Sequence, residues 1–151
     1  MSAIHTCLVV MSMLGQHGTN ERFDTCVELV HEARAAGLPD HVVLGVAWVE
    51  SRFNPEAKSG AGAIGPLQII PKWHCKGPCD PLRVGVRLLV RLKLKYGTWR
   101  TAWCHYSQGN KCRESGMRYA DKVQRATGWM RMIVLSFGQY IDDGLRPPRW
   151  M

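Results

Sequence analysis

Residues 50–71 read ESRFNPEAKSGAGAIGPLQIIP, and this stretch separates one helical pattern from another. Pro55, Gly60, Gly62, Gly65, Pro66 and Pro71, followed closely by Gly77 and Pro78, are too many breakers for long regular structure. Residues 54–80 are therefore predicted to form an elaborate loop with room for short strands. Just before it, Asp40 opens a helix carrying Val42, Val43, Val46, Ala47 and Val49 toward Phe53, until Asn54-Pro55 stops it. Glu50 lies seven residues after Val43, four after Val46 and three after Ala47, so it shares the apolar face of that helix. Burial disfavours an ionised carboxylate, and a carboxylic acid still protonated near neutral pH is suited to general acid catalysis. The same spacing also fits a structural Glu paired with an Arg at a helix end.

Outward from this stretch the punctuation is helical. Phe23, Cys26, Val27, Val30 and Ala33 recur at helical spacing between Asn20 and the breakers Gly37 and Pro39. Asp80 before Pro81 combines a capping carboxylate with a proline at the first helical position, predicting a helix that ends at Gly97. Thr98 caps another through Trp99, Ala102 and Trp103 to Tyr106, and Met117–Ala126 reads as one more. The expectation is a mainly α protein with one Gly/Pro-rich loop or small β insertion, its 151 residues suiting one domain. At the N-terminus, Cys7–Leu14 is apolar, yet no Lys or Arg precedes Arg22. An N-terminal helix packed on the core is thus favoured over a cleaved signal.

Composition limits the function classes. Apolar residues are 46% and charged residues 21%, which excludes a disordered chain, and no run of about 18 apolar residues predicts a membrane span. The net charge of +8 is uneven: residues 1–50 hold Arg22 and Arg34 against six acids, so the excess lies beyond them. Such a field favours anionic polymers, whether nucleic acid, membrane surface or bacterial wall. Arg83, Arg87, Arg91 and Lys95 form a basic stripe at intervals of four, readable as a solvated face or as an anion-attracting one.

The run from Glu50 to Pro71 resembles the signature of the SLT-type lytic transglycosylases of the goose-lysozyme-like superfamily. Glu50, Ser51, Phe53, Asn54, Pro55, Ala57, Ser59, Gly62, Ala63, Gly65, Gln68 and Pro71 fall in register with it without a gap. CHYSQGN, residues 104–110, resembles the family's Ala-Tyr-Asn-Ala-Gly motif, and Tyr119 with Val123 resembles its closing Tyr-x-x-x-Val. The resemblance covers about residues 23–126. It implies a lysozyme-like fold and cleavage of the MurNAc-GlcNAc bond of peptidoglycan with 1,6-anhydro ends. Glu50 would be catalytic, Ser59, Gln68 and Tyr106 would line the saccharide cleft, and Tyr119 would lie near the carboxylate; no cofactor is implied. Pro66-Leu67 replaces the usual Leu-Met, Ser107-Gln108 replaces Asn-Ala, and Glu114 is out of register and receives no role. Ordinary glycosidases need two flanking carboxylates, whereas this region offers only Glu56 and Asp80 besides Glu50, neither at a spacing that would face it.

Six cysteines are many for a reducing compartment. Disulfides Cys75–Cys79 and Cys104–Cys112 are the expected pairs, although four cysteines allow three pairings, and a zinc site with His74 or His105 is the rival. Cys7 and Cys26, on apolar stretches, are expected as free core thiols. The small basic chain points to a bacteriophage enzyme, acting from the virion or in lysis, or else in the periplasm or cell wall. A goose-type muramidase and a non-catalytic virion component are the alternatives, and no specific nucleic acid is expected. Residues 129–151 hold too many apolar residues for a free tail. They form either a final packed helix or a docking element for virion or tail proteins.

Overall fold

Local chemistry sets where each helix starts and stops. The computed structural model describes residues 1–15 and 20–142, with side chains described to residue 137. In α1 (Ala3–Met13) the Ser2 hydroxyl accepts the His5 amide proton at 3.2 Å, and Cys7, Val10 and Met11 are buried. Helix α2 (Asn20–Ala35) ends in a turn where Gly37 has φ 74° and the Leu38 amide donates to the Ala33 carbonyl. Arg34 then holds Asp40 through two hydrogen bonds of 3.0 and 2.7 Å at the first turn of α3 (Asp40–Ser51). A single turn, α4 (Pro71–His74), lies within the Gly/Pro-rich region. Asp80 caps α5 (Pro81–Tyr96) at the Leu82 amide, 3.0 Å, and Gly97 ends it; Thr98 caps α6 (Trp99–Gln108).

The protein is mainly helical, as its punctuation predicts. Between α3 and α5 the loop makes isolated antiparallel bridges, Lys58 with Ile64 and Ile64 with Ile69, and no extended strand forms among the described residues. No described helix is long and apolar enough to cross a membrane.

Three expectations need correction. Cys7 and Cys26 are not free thiols: they form a disulfide joining α1 to α2. Apolar neighbours cannot distinguish the two states, because the facing buried stripes of two packed helices bring the sulfurs together as readily as they bury them apart. Helix α3 ends at Ser51 rather than at Asn54-Pro55, since Arg52 and Phe53 both adopt left-handed backbone, φ 54° and 63°. The buried Phe53 ring and a 2.6 Å hydrogen bond from the Arg22 guanidinium to the Arg52 carbonyl hold that turn. Finally, Met117–Ala126 is the middle of a single helix, α7 (Glu114–Asp142). Ala120, Val123, Thr127, Met130, Ile133 and Phe137 keep one buried stripe through it, so Gly128 does not interrupt it. The packed-helix reading of the C-terminal segment holds to residue 137, while the LRPPRWM arm lies outside the described residues.

Helix α3 is the centre of the core, with Val42 through Ala47 buried, and its most extensive partner is α7. Gly45 allows that closeness: a Cβ there would stand 2.4 Å from Thr127 Cγ2 and 2.7 Å from its backbone nitrogen. Gly45→Ala should therefore destabilise despite a helix-propensity gain of up to about 1 kcal/mol, because overpacking costs about 1–3 kcal/mol and backbone cannot rotate away. Thermal unfolding is expected to show a midpoint lowered by at least about 3 °C.

Candidate active site

Glu50 stands in the last turn of α3, directly before the left-handed turn at Arg52-Phe53. Its neighbour Ser51 ties the helix end to the loop, donating its hydroxyl to the Pro66 carbonyl at 2.7 Å. From α7 the Tyr119 hydroxyl donates to Glu50 Oε1. Burial pushes the Glu50 carboxyl above the usual carboxylate range, while the Tyr119 hydrogen bond and the Lys122 charge oppose that rise. The negative end of the α3 dipole acts in the same direction as burial. Tyr119 and Tyr106 are themselves raised well above the ordinary phenol range by burial and by the Glu50 charge, so both remain hydroxyl donors.

Glu50 opens into a pocket of about 250 Å³ lined also by Ser59, Gln68, Tyr106 and Ser107, with Ala63, Ile69, Ile70, His74 and Leu88 completing the wall. Among the described residues no other carboxylate lines it. Asp80 is occupied in capping α5, and Glu56 is exposed on the loop.

The loop that forms one wall is held by its own backbone turns and bridges, with the Gly65 amide donating to the Ala57 carbonyl at 2.9 Å and the Ile64 amide to the Ile69 carbonyl at 2.8 Å, and side chains of the site add to these. The Gln68 backbone is left-handed, φ 51°, and its side-chain amide donates to the carbonyls of Ala57 and Gly65 at 3.0 and 2.9 Å. Tyr106 on α6 donates to the Leu67 carbonyl, and Ser59 Oγ accepts the Ala63 amide proton at 3.1 Å. Gly85 lets α5 approach the loop, because a Cβ there would lie 2.6 Å from Leu67 Cδ1.

Of the residues singled out from the sequence, Glu50, Ser59, Gln68 and Tyr106 line the same pocket, and Tyr119 reaches it through Glu50. Cys75 pairs with Cys79 just after α4, and Cys104 within α6 pairs with Cys112 in the segment that follows that helix. Glu114 is exposed and paired with Arg118, away from the pocket. Sequence reasoning missed His74, Ser107 and Leu88 as lining residues. Ser107 follows Tyr106 on the same helix end and was legible from the motif. His74 and Leu88 come from separate elements, and no spacing connects them to Glu50.

The family model described as Transglycosylase SLT domain matches residues 29–127, well over half of the chain. The membrane-bound lytic murein transglycosylase C of Mannheimia succiniciproducens is 38% identical over 64 residues, which are 42% of this chain and 18% of that protein. The matched stretch thus spans less than a fifth of that relative's length. No solved structure matches the chain significantly. With Glu50, the loop that follows it and the tyrosines of α6 and α7 all within the matched residues, this chain belongs to the transglycosylase SLT domain family.

Proposed function

We propose that this protein is a peptidoglycan lytic transglycosylase that uses Glu50 as its only catalytic carboxyl. The observation carrying this reading is that Glu50, alone among the acidic residues described, lines the pocket, half-buried and held by the Tyr119 hydroxyl. A two-carboxylate mechanism needs a second group about 5–10 Å away across the bond, and none of the described residues supplies one at this wall. One carboxyl suffices if the substrate supplies the rest. Glu50 gives its proton to the glycosidic oxygen as that bond breaks, and the 2-acetamido oxygen of the muramic acid closes on the anomeric carbon. The resulting carboxylate then takes the proton of the sugar's own 6-hydroxyl. That oxygen bonds to the anomeric carbon, the acetamido group is released, and a 1,6-anhydro end forms without water. Gln68, Tyr106 and Ser59 are assigned to orienting the saccharide, and Tyr119 to steadying the carboxylate.

Action at the bacterial wall, delivered by a bacteriophage particle or resident in the periplasm, is part of this proposal. The net charge of +8 and three disulfides support a place beside anionic polymer under oxidising conditions.

Glu50→Gln is expected to lower turnover by at least about 10³-fold, because it removes the transferable proton while keeping the shape. Mass spectrometry of wild-type digests should find anhydro-muramyl ends. Hydrated reducing ends would instead identify a muramidase, and an uncut polymer a non-catalytic component.

Tyr119→Phe removes a hydrogen bond that lowers the Glu50 pKa. The limb of the pH–kcat/KM profile on which activity falls as Glu50 ionises should therefore move to higher pH. A limb that stays in place or moves down contradicts the assignment.

The same carboxyl has a signature in stability. A carboxyl whose folded pKa is raised stabilises the fold while protonated, and that contribution is lost as pH rises through the folded pKa. Glu50→Gln should therefore unfold at a higher temperature than wild type at neutral pH, with the advantage shrinking as the pH falls toward that of an ordinary carboxyl. Equal melting temperatures across this range would show that the buried charge costs nothing.

A further inference from the structure

A second pocket, of about 270 Å³, adjoins the first, and His74 and Leu88 belong to the walls of both. Its other lining residues are Val84, Arg87 and Arg91, all on α5. The basic stripe of α5 is thereby divided. Arg83 is engaged by Glu32 at 3.1 Å, whereas Arg87 and Arg91 form no ion pair among the described residues and stand one turn apart at the second pocket. The third polar group is His74, whose Nδ1 is buried without a hydrogen-bond partner. Burial and the Arg91 charge lower its pKa, so the ring is held neutral, and in the Nδ1–H tautomer it offers a hydrogen. An unpaired buried polar atom costs free energy that a ligand can recover. The Cys75–Cys79 disulfide closes a short loop directly after His74.

We propose that Arg87, Arg91 and His74 form an anion subsite beside the catalytic pocket. It would take a free carboxylate of the peptide that the muramic acid carries. The inference rests on the transglycosylase reading. In that reaction the sugar whose anomeric carbon reacts is the muramic acid, and its peptide must leave the catalytic pocket through a neighbouring space. The pocket beyond the His74–Leu88 partition adjoins it, and its two guanidinium groups match a carboxylate's two oxygens. The site would make the enzyme select strands by the charge state of their peptides.

The experiment compares soluble glycan strands bearing free peptide carboxyls with the same strands after carbodiimide-driven amidation. Wild-type kcat/KM should be about tenfold higher on the free-carboxyl strands, since charge-assisted hydrogen bonds of this kind are each worth about that factor or more. The double variant Arg87→Gln/Arg91→Gln should cleave the two substrates within about twofold of one another. Equal cleavage of both by wild type, or discrimination retained by the double variant, overturns the subsite. A phosphate-bearing wall polymer presents a similar anion. A wild-type preference for polymer-bearing strands, with indifference to amidation, assigns the pocket to phosphate and overturns the carboxylate.

Binding is read separately by titrating the Glu50→Gln protein with a soluble muramyl tripeptide and its amidated form while following the His74 ring resonances. The free carboxyl form should bind about tenfold more tightly. Discrimination in binding with no cleavage of any strand by wild type means that the catalytic reading fails and the subsite stands. Anhydro products without discrimination in either measurement mean the reverse.

Discussion

Where α3 and α7 cross, the protein places a missing side chain, and the site follows from it. Because Gly45 presents no Cβ to Thr127, the two helices approach closely enough for Tyr119, two turns earlier on α7, to reach the carboxyl of Glu50 at the end of α3. Burial that would be expensive for an unpaired acid thereby becomes tolerable, since the phenol satisfies one oxygen of a residue that lines the cleft. The same crossing seals the core beneath the site with the Val42–Ala47 stretch, so stability and acidity depend on one contact.

The loop after α3 is rigid for a different reason. It has almost no sheet, and its bridges are isolated. What fixes it is a series of backbone turns and bridges, joined by side-chain donors aimed at its carbonyls: Ser51 to Pro66, Gln68 to Ala57 and Gly65, Tyr106 to Leu67. Each side-chain bond is worth about 1 kcal/mol net, which is modest, but together they engage the Pro66 and Leu67 carbonyls and reinforce those of Ala57 and Gly65. A glutamine or tyrosine in this motif therefore shapes the cleft wall even before any sugar arrives. Loss of activity in a variant at either position has to be separated from loss of loop geometry.

Most of this architecture was legible because its signals are local. Asp80-Pro81, Thr98 and Gly97 mark helix ends by capping chemistry that depends on a few adjacent residues, and each acts where expected. Glu50 was found by counting three, four and seven along an apolar face. What sequence could not supply is what depends on tertiary partners. The Cys7–Cys26 bond requires knowing that α1 lies on α2. The Arg52-Phe53 turn requires the buried slot for the Phe53 ring and the distant Arg22. The continuity of α7 past Gly128 requires the core that Met130, Ile133 and Phe137 enter, because a glycine weakens a helix by about 1 kcal/mol and only packing overrides it. His74 belongs to the same class, since its position on the cleft follows from α4 packing near α5 rather than from any spacing.

The pairing of residue 50 with residue 119 also orders events in time. A ribosome releases α3 long before α7, and without α7 the apolar face that carries Glu50 has no cover and its carboxyl no phenol. Helix α3 is therefore latent until α7 is made, because α7 is its most extensive partner. Here the topology delays assembly of the site until α7 has been made, because the contact between residues 50 and 119 joins segments far apart in sequence.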